Sequence, residues 1–162
     1  MPVRGVLYVH SCPPAVCAHV EWAVSRVLGI PVRLQWTAQP ADPSTQRAES
    51  VWEGAAGTAA HLAAALRRWP MLRFEVTEDP SAGVDGERIS YVPMLGVFRA
   101  AISASGDIVV GEDRLRALLA TASANEALAH GLECLLGVAW DIELEGYRHA
   151  GDGAPVTWLY AV

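Results

Sequence analysis

The sequence predicts an α+β fold in which a ferredoxin-like β-α-β-β-α-β half, residues 1–80, packs with an acidic half, residues 81–162. Strand-like and helix-like apolar periodicities alternate in that order through the first 77 residues. A polar segment rich in Pro and Gly, 78–86, then separates the halves, and the rest of the chain shows strand, helix and final strand patterns. With 162 residues, 52% of them apolar, the two halves are expected to form one compact unit.

Each element of the first half follows from its local pattern. Strands are predicted where apolar and polar residues alternate, and helices where apolar residues recur every three or four positions. The first helix ends at Gly29 and Pro31 and the second at Pro70, because Gly accepts a left-handed cap and Pro cannot continue a helix. The predicted elements are a strand at 5–10, a helix at 16–28, strands at 32–37 and 46–53, a helix at 58–69 and a strand at 71–77.

The second half is predicted to contain a β-hairpin followed by helices. The segment around Gly106 is typical of a hairpin turn. Glu112 and Asp113 indicate a helix N-terminus, where the helix dipole favours negative charge. The predicted elements are strands at 88–92, 96–103 and 108–110, a helix from 112, helices at 124–136 and 139–147, and a strand at 156–160.

Right-handed crossovers would place the first and third strands of the ferredoxin-like half in the middle of an antiparallel sheet, with both helices on one face. Polar residues alternate along these strands and would share the opposite face. Opposite charges that face each other across strands contribute about 0.2 to 1 kcal/mol, which favours a structural ladder, and a docking platform is the alternative. The residues concerned are Arg33, Gln35, Arg47, Glu49, Arg73 and Glu75.

The charge balance excludes some classes of partner. The chain carries 12 arginines, no lysine and a formal net charge of −6, and all of this net charge falls within 82–162. General nucleic-acid binding needs clustered cations, so neither nucleic acid nor a membrane is an expected partner. No segment has the roughly 20 apolar residues of a membrane span. Three cysteines make a poor disulfide framework, and a reduced, cytoplasmic protein without a cofactor is expected.

Six phrases of the sequence indicate a family. They are RGVLYVHS at 4–11, HVEWA at 19–23, LRFEVTE at 72–78, GDI at 106–108, RLR at 114–116 and GAPVTWL at 153–159. With these phrases the chain resembles, over nearly its whole length, an uncharacterised actinobacterial family known as a domain of unknown function. The resemblance implies a GC-rich genome, which would explain the missing lysine, and it implies no reaction, ligand or catalytic residue. A link to lipid metabolism comes with the resemblance alone and rests on none of these residues.

The densest group of reactive side chains lies within residues 10–19. Two imidazoles and two thiols, from His10, Cys12, Cys17 and His19, are candidate zinc ligands. Residues 17 and 19 would point about 200° apart on a helix, and the usual second pair of ligands is absent. The spacing therefore argues against a metal site.

The same segment offers a candidate nucleophile. Cys12 lies near a predicted helix N-terminus, whose dipole lowers the pKa of a thiol, and His10 would be its base. The alternative is that Ser11 or Cys12 caps the helix and that Cys17 is a small buried apolar group. This structural alternative is preferred over thiol catalysis.

A second group of charged residues, Asp141, Glu145 and Arg148, shares one face of a predicted helix. Paired carboxylates can perform acid and base chemistry or hold Mg²⁺. Glu145 and Arg148, however, have the spacing of an ordinary i, i+3 ion pair. A solvated ion-pair surface is the favoured interpretation.

Trp22 and Arg26 are the candidate partner-binding residues. Trp22 falls on the outer side of the first predicted helix, with Arg26 one turn further along. This spacing predicts a cation–π contact and suits a partner anchor, with packing at the edge of the core as the alternative.

These observations favour a non-enzymatic protein-interaction or regulatory protein whose partner is another protein or a second copy. The alternative is a small-molecule or acyl-chain binding protein, or an enzyme, with a site between the two halves near His10 and Cys12. An RNA-binding sheet with Tyr8 as a stacking platform comes third. A deep pocket with convergent polar groups would favour ligand binding, and a flat exposed apolar patch would favour a protein partner.

Overall fold

The computed structural model describes residues 1–160, which form eight strands and five α-helices. The strands are β1 (Val3–Cys12), β2 (Thr37–Ala38), β3 (Gln46–Gly54), β4 (Arg73–Glu78), β5 (Gly86–Val92), β6 (Gly96–Ile102), β7 (Ile108–Val109) and β8 (Val156–Trp158). The helices are α1 (Cys17–Leu28), α2 (Thr58–Leu66), α3 (Glu112–Thr121), α4 (Asn125–Leu136) and α5 (Val138–Ala150), and a short 3-10 turn at Pro14–Val16 leads into α1.

All strands belong to one sheet. Seven of them follow the order β2-β3-β1-β4-β5-β6-β7 with antiparallel neighbours, and β8 pairs in parallel with β3 on the side where β2 also pairs. Strands β5, β6 and β7 extend the sheet outward from β4. The predicted mixture of helix and largely antiparallel sheet is confirmed, and the sheet continues across the predicted boundary after residue 80.

The predicted strand at 32–37 is wrong over most of its length, because only β2, at its far end, pairs with β3. Side chains satisfy the backbone of this segment instead. Leu34 N donates to Glu21 Oε1 over 2.8 Å, and Gln35 N donates to Thr157 Oγ1 over 3.1 Å. Because these N–H groups find side-chain oxygens from α1 and β8, the segment is held without a sheet partner.

Several predicted ends also shift. Helix α2 ends at Leu66 rather than at 69, and Trp69 N donates to Leu66 O in the turn that follows. Helix α5 runs through Ala150 instead of ending at 147, and β8 ends at Trp158 instead of 160. The ends of helices and strands are the hardest part to predict from a sequence pattern, because the last helical turn and the last strand pair depend on contacts with other elements.

One face of the sheet carries the apolar core. Leu7 and Val9 of β1 point to this face, and their partners across β4 are Val76 and Phe74. Helices α1 and α2 cover it, with Val20 and Leu62 fully buried. Burying such side chains contributes about 1.5 to 3 kcal/mol each, so this layer fixes the position of β1.

Helix α5 lies on the opposite face. Its Trp140 packs on Phe98 of β6 with ring centroids 5.3 Å apart, and Trp140 Nε1 donates to Gly96 O over 2.9 Å. Farther along, the Arg73 guanidinium of β4 lies 4.6 Å from the centre of the Tyr147 ring. These contacts anchor α5 above the polar positions of β1, β3 and β4. No helix within residues 1–160 is long and apolar enough to cross a membrane.

Candidate functional site

A polar cavity of about 470 Å³ lies between the sheet and the C-terminal end of α5. It falls in the size range of small-molecule sites, roughly 300 to 1,000 Å³. Tyr8, Arg47 and Glu75 line it from the first predicted half, and Arg88 and Arg148 line it from the second. The cavity is therefore built by both halves.

Strand register explains why polar groups meet here. Tyr8 of β1 lies opposite Glu49 of β3 on one side and opposite Glu75 of β4 on the other, and Glu75 lies opposite Ser90 of β5. Side chains directly opposite each other in a sheet share a face. Because Leu7 and Val9 of β1 face the helices, the alternate residues of all four strands face the cavity.

Glu75 is the centre of a hydrogen-bond network. Its carboxylate accepts from His10 Nε2 over 2.8 Å, from Arg148 Nε over 2.9 Å and Arg148 Nη2, and from Ser90 Oγ over 3.0 Å. Burial alone would raise the pKa of Glu75, but the hydrogen bonds from Arg148 and His10 outweigh it and hold the pKa well below its usual value of 4.5. Glu75 is therefore an ionised, fully engaged carboxylate.

His10 is fixed by this network. With Glu75 ionised, the Nε2 of His10 carries the proton that it donates. The Nδ1 atom is buried and has no hydrogen-bond partner among residues 1–160. Gln39 Nε2 donates to His10 O over 2.7 Å, and the ring stacks on Tyr8 with centroids 5.9 Å apart. Burial contributes most to raising the pKa of Tyr8, followed by the charges of Glu49 and Glu75.

Arg47 differs from the other cavity arginines because nothing in the described chain accepts a hydrogen bond from it. Its side chain is 5% exposed, and both Nε and Nη1 are buried without a partner within residues 1–160. The nearest carboxylate oxygen, Glu49 Oε2, is 3.9 Å from Nη2, beyond hydrogen-bond distance. Arg47 is a buried cation whose donors are left unused.

Gly151, just after α5, makes room for this guanidinium. A Cβ atom added at Gly151 would lie 2.4 to 2.6 Å from Nε, Cζ and Nη2 of Arg47. Gly151 has φ of −89°, which any residue adopts, so its backbone conformation does not call for glycine, and a Cβ here would instead force the Arg47 guanidinium to shift.

The structure separates His10 from Cys12. Cys12 lies fully buried in the apolar core, where its Sγ is 3.7 Å from Cys17 Sγ. Burial raises the pKa of the Cys12 thiol far above its usual value, and the neighbouring Cys17 raises it further. His10 instead faces the cavity and binds Glu75. Among residues 1–160 the geometry thus provides no base for the thiol, and burial keeps it protonated.

The four candidate zinc ligands do not converge either. Cys12 and Cys17 touch each other, but His10 faces the cavity and His19 packs against Trp69 with ring centroids 6.0 Å apart. Within residues 1–160, no group of three or more His, Cys, Asp or Glu side chains is placed to hold a metal ion.

The helix-face group forms the expected ion pairs. Arg148 Nη1 donates to Asp141 Oδ1 over 2.9 Å and lies 3.5 Å from Glu145 Oε2. Sequence spacing missed the strongest partner of Arg148, which is Glu75 on β4. The sequence also predicted that Arg47 and Glu75 belong to a polar ladder on the surface of the sheet. Their alternation indicated the correct face of the sheet, but no local pattern showed that α5 covers this face.

Trp22 and Arg26 form the predicted contact on the outer face of α1. Trp22 is 54% exposed, and the Arg26 guanidinium lies 5.0 Å from the centre of its ring. This surface lies on the side of the sheet that α1 and α2 cover, whereas the cavity lies on the opposite side, under α5.

The model of one protein family, described as "Protein of unknown function (DUF3145)", matches residues 6–161. The chain belongs to the DUF3145 family. No curated protein and no solved structure matches it. For this DUF3145 chain, the cavity is therefore the main structural evidence on function.

Proposed function

We propose that this DUF3145 protein binds a small polar molecule through an anionic group, a carboxylate or a phosphate, that pairs with Arg47 in the cavity. The observation that carries the proposal is the buried Arg47 guanidinium with no hydrogen-bond acceptor among the described residues. A buried charge whose hydrogen bonds are unfilled is costly, and the cost is relieved when an anion supplies the missing acceptors. The guanidinium fork suits both anions.

The lining of the cavity favours a polar ligand. Among the described lining residues, nine carry polar or charged side chains and none is Leu, Ile, Val, Met or Phe. An acyl chain would find no large aliphatic side chain among these residues to pack against. The lining thus favours the polar members of the small-molecule class over an acyl chain, and it lends no support to a link with lipid metabolism.

The test is anion binding by wild-type protein and by Arg47→Met. Phosphate, acetate and succinate would be titrated at constant ionic strength and followed by calorimetry and thermal unfolding. Wild type is expected to show saturable binding, and Arg47→Met is expected to lose it. In anion-free buffer the variant should be as stable as wild type or more stable, because it removes a buried cation whose hydrogen bonds are unfilled. A structural Arg47 would instead make the variant about 3 to 5 kcal/mol less stable.

Two further variants make the test specific. Gly151→Ala keeps the arginine at position 47, but the added methyl group displaces its guanidinium. This variant should therefore bind anions more weakly than wild type, with unchanged helix content. Arg116→Gln removes an exposed arginine whose partner is Glu112, and it should bind anions as wild type does. Equal binding by wild type and Arg47→Met, or no saturable binding by wild type, would overturn the proposal.

A second candidate function is a protein interaction at Trp22. The supporting observation is the exposed indole, stacked by Arg26, which is the type of residue that anchors protein interfaces. The test is affinity capture from the native host with wild type and Trp22→Ala, together with sedimentation for self-association. Trp158→Ala, a second exposed tryptophan on β8, is the matched control. A partner or dimer lost only with Trp22→Ala supports this function, and unchanged capture and sedimentation contradict it.

We also propose that residues 1–80 form a ferredoxin-like unit to which residues 81–162 were added. The order β2-β3-β1-β4 of its strands, with α1 and α2 on one face, supports this division.

A further inference from the structure

The Glu49 carboxylate lies beside the Arg47 guanidinium, and neither group makes a hydrogen bond within residues 1–160. Glu49 lies two residues along β3, so both side chains point to the cavity face, and both line the cavity. Glu49 makes no hydrogen bond to any residue within 1–160, and its closest cation there is Arg47, whose Nη2 lies 3.9 Å away. A hydrogen-bonded arginine and carboxylate close to about 2.7 to 2.9 Å. The cavity thus holds one cation and one anion side by side, neither with its hydrogen bonds filled.

The remaining carboxylate of the cavity floor is not free in this way. Glu75 already accepts from His10, Arg148 and Ser90, so its lone pairs are occupied. Asp152 is at the rim and strongly exposed, where water screens it. Glu49 is therefore the carboxylate on the cavity floor that a ligand can use.

A ligand of a single charge satisfies only one member of this pair. An anion on Arg47 alone would lie close to the Glu49 carboxylate and be repelled by it, and a cation on Glu49 would be repelled by Arg47 and leave it without an acceptor. A ligand that carries both charges a few ångströms apart satisfies both groups, because each of its charges then meets the opposite one.

We propose that the ligand is zwitterionic, an α-amino acid or a molecule with an amino acid head group, with its carboxylate on Arg47 and its ammonium on Glu49. The proposal rests on the proposed function, since it needs the anion site at Arg47. It makes Glu49 the residue that selects among anionic ligands.

The experiment compares ligands that differ only in the ammonium group. The twenty standard amino acids would first be screened by thermal unfolding of the full chain. Calorimetry would then compare the best binders with matched acids, such as L-glutamate with glutarate and L-aspartate with succinate. Wild type is expected to bind the amino acid at least roughly tenfold more tightly than its matched acid. The reason is that the ammonium adds one charged hydrogen bond, to Glu49, and such a bond strengthens binding by about this factor.

Variants assign the selectivity to Glu49. Glu49→Gln is expected to bind the matched acid at least as well as wild type and to lose the tenfold preference, whereas Arg47→Met should bind neither ligand. Glu53→Gln is the matched control, because Glu53 lies on the same strand outside the cavity lining and should keep the preference.

Two results would overturn the inference. One is that the matched acid binds as tightly as the amino acid, or that simple acids bind and none of the twenty amino acids does. In either case the proposed anion binding at Arg47 would remain, without selection by Glu49. The other is a preference that Glu49→Gln leaves unchanged. Failure of every anion to bind would instead overturn the proposed function and the inference together.

Discussion

Two arginines of the cavity show that neighbours, and not residue type, decide what a buried charge does. Arg148 donates to Glu75 and Asp141, and these partners raise its pKa above the usual value. Arg47 donates to no described residue, although it is more deeply buried. An arginine whose donors bind other residues joins elements of the fold, whereas a buried arginine with unused donors is available to a ligand.

The three cysteines are expected to differ sharply in reactivity. Cys134 is exposed, Cys17 is half-buried, and Cys12 is buried in the core with a raised pKa. Because the thiolate is the reacting form, iodoacetamide should label Cys134 first, Cys17 more slowly and Cys12 only after unfolding. Peptide mapping by mass spectrometry in native buffer and in urea measures the three rates. Labelling of native Cys12 as fast as Cys134 would restore it as a candidate nucleophile.

At the scale of elements, α3 and α4 stand apart from the rest of the fold. Neither helix has a buried residue, although both carry leucines, such as Leu119 and Leu132, that are exposed. Strand β1, in contrast, is buried along most of its length. Helices gain most of their stability from packing an apolar face, so these two should open more readily than the sheet.

Native-state hydrogen exchange tests this difference. Backbone amides of α3 and α4 are expected to exchange through local opening, at least roughly a hundredfold faster than the hydrogen-bonded amides of β1 and β4. Exchange would be measured at two protein concentrations, because self-association through these helices would slow it at the higher one. Protection in α3 equal to that of β1 at low concentration would contradict the expectation.

At the scale of the whole molecule, Glu75 joins α5 to the sheet. The groups that face it are His10 on β1, Ser90 on β5 and Arg148 on α5, which Asp141 neighbours. The pKa of Glu75 is lower in the folded protein than in the unfolded chain. Its ionised form therefore stabilises the fold above the unfolded pKa, and this stability is lost as pH falls toward the folded value.

Glu75→Gln should reveal that contribution. At pH 7 the variant is expected to be about 3 to 5 kcal/mol less stable than wild type, because it leaves buried cations without their anion. Below about pH 4.5 the wild type should lose this advantage by up to about 1.4 kcal/mol per pH unit, so the gap should narrow by up to about 2 kcal/mol by pH 3. Urea unfolding from pH 7 to pH 3 measures the gap. Glu112→Gln, at an exposed ion pair, is the control and should differ little from wild type at any pH. A gap that is constant with pH would contradict the role of Glu75.

Local patterns were sufficient for most elements and insufficient for the site. Alternation predicted that Arg47, Glu49 and Glu75 share one face, and the register confirms that they line the same cavity. Alternation could not predict that most of the segment 32–37 lies outside the sheet. The side chains that bind its backbone, Glu21 and Thr157, belong to α1 and β8, and no pattern within the segment indicates them.

By itself, the sequence determined most of the segments that form helices and strands, which face of the sheet is polar, and that Trp22 and Arg26 would meet on α1. Each of these depends on spacing along the chain, which fixes geometry within a single element. Only the tertiary structure decided that α5 covers the polar face, that Arg148 neutralises Glu75, and that Arg47 stays without an acceptor beside Glu49. The reason is that burial and charge pairing depend on elements separated by many residues, and no local period records which of them will come together.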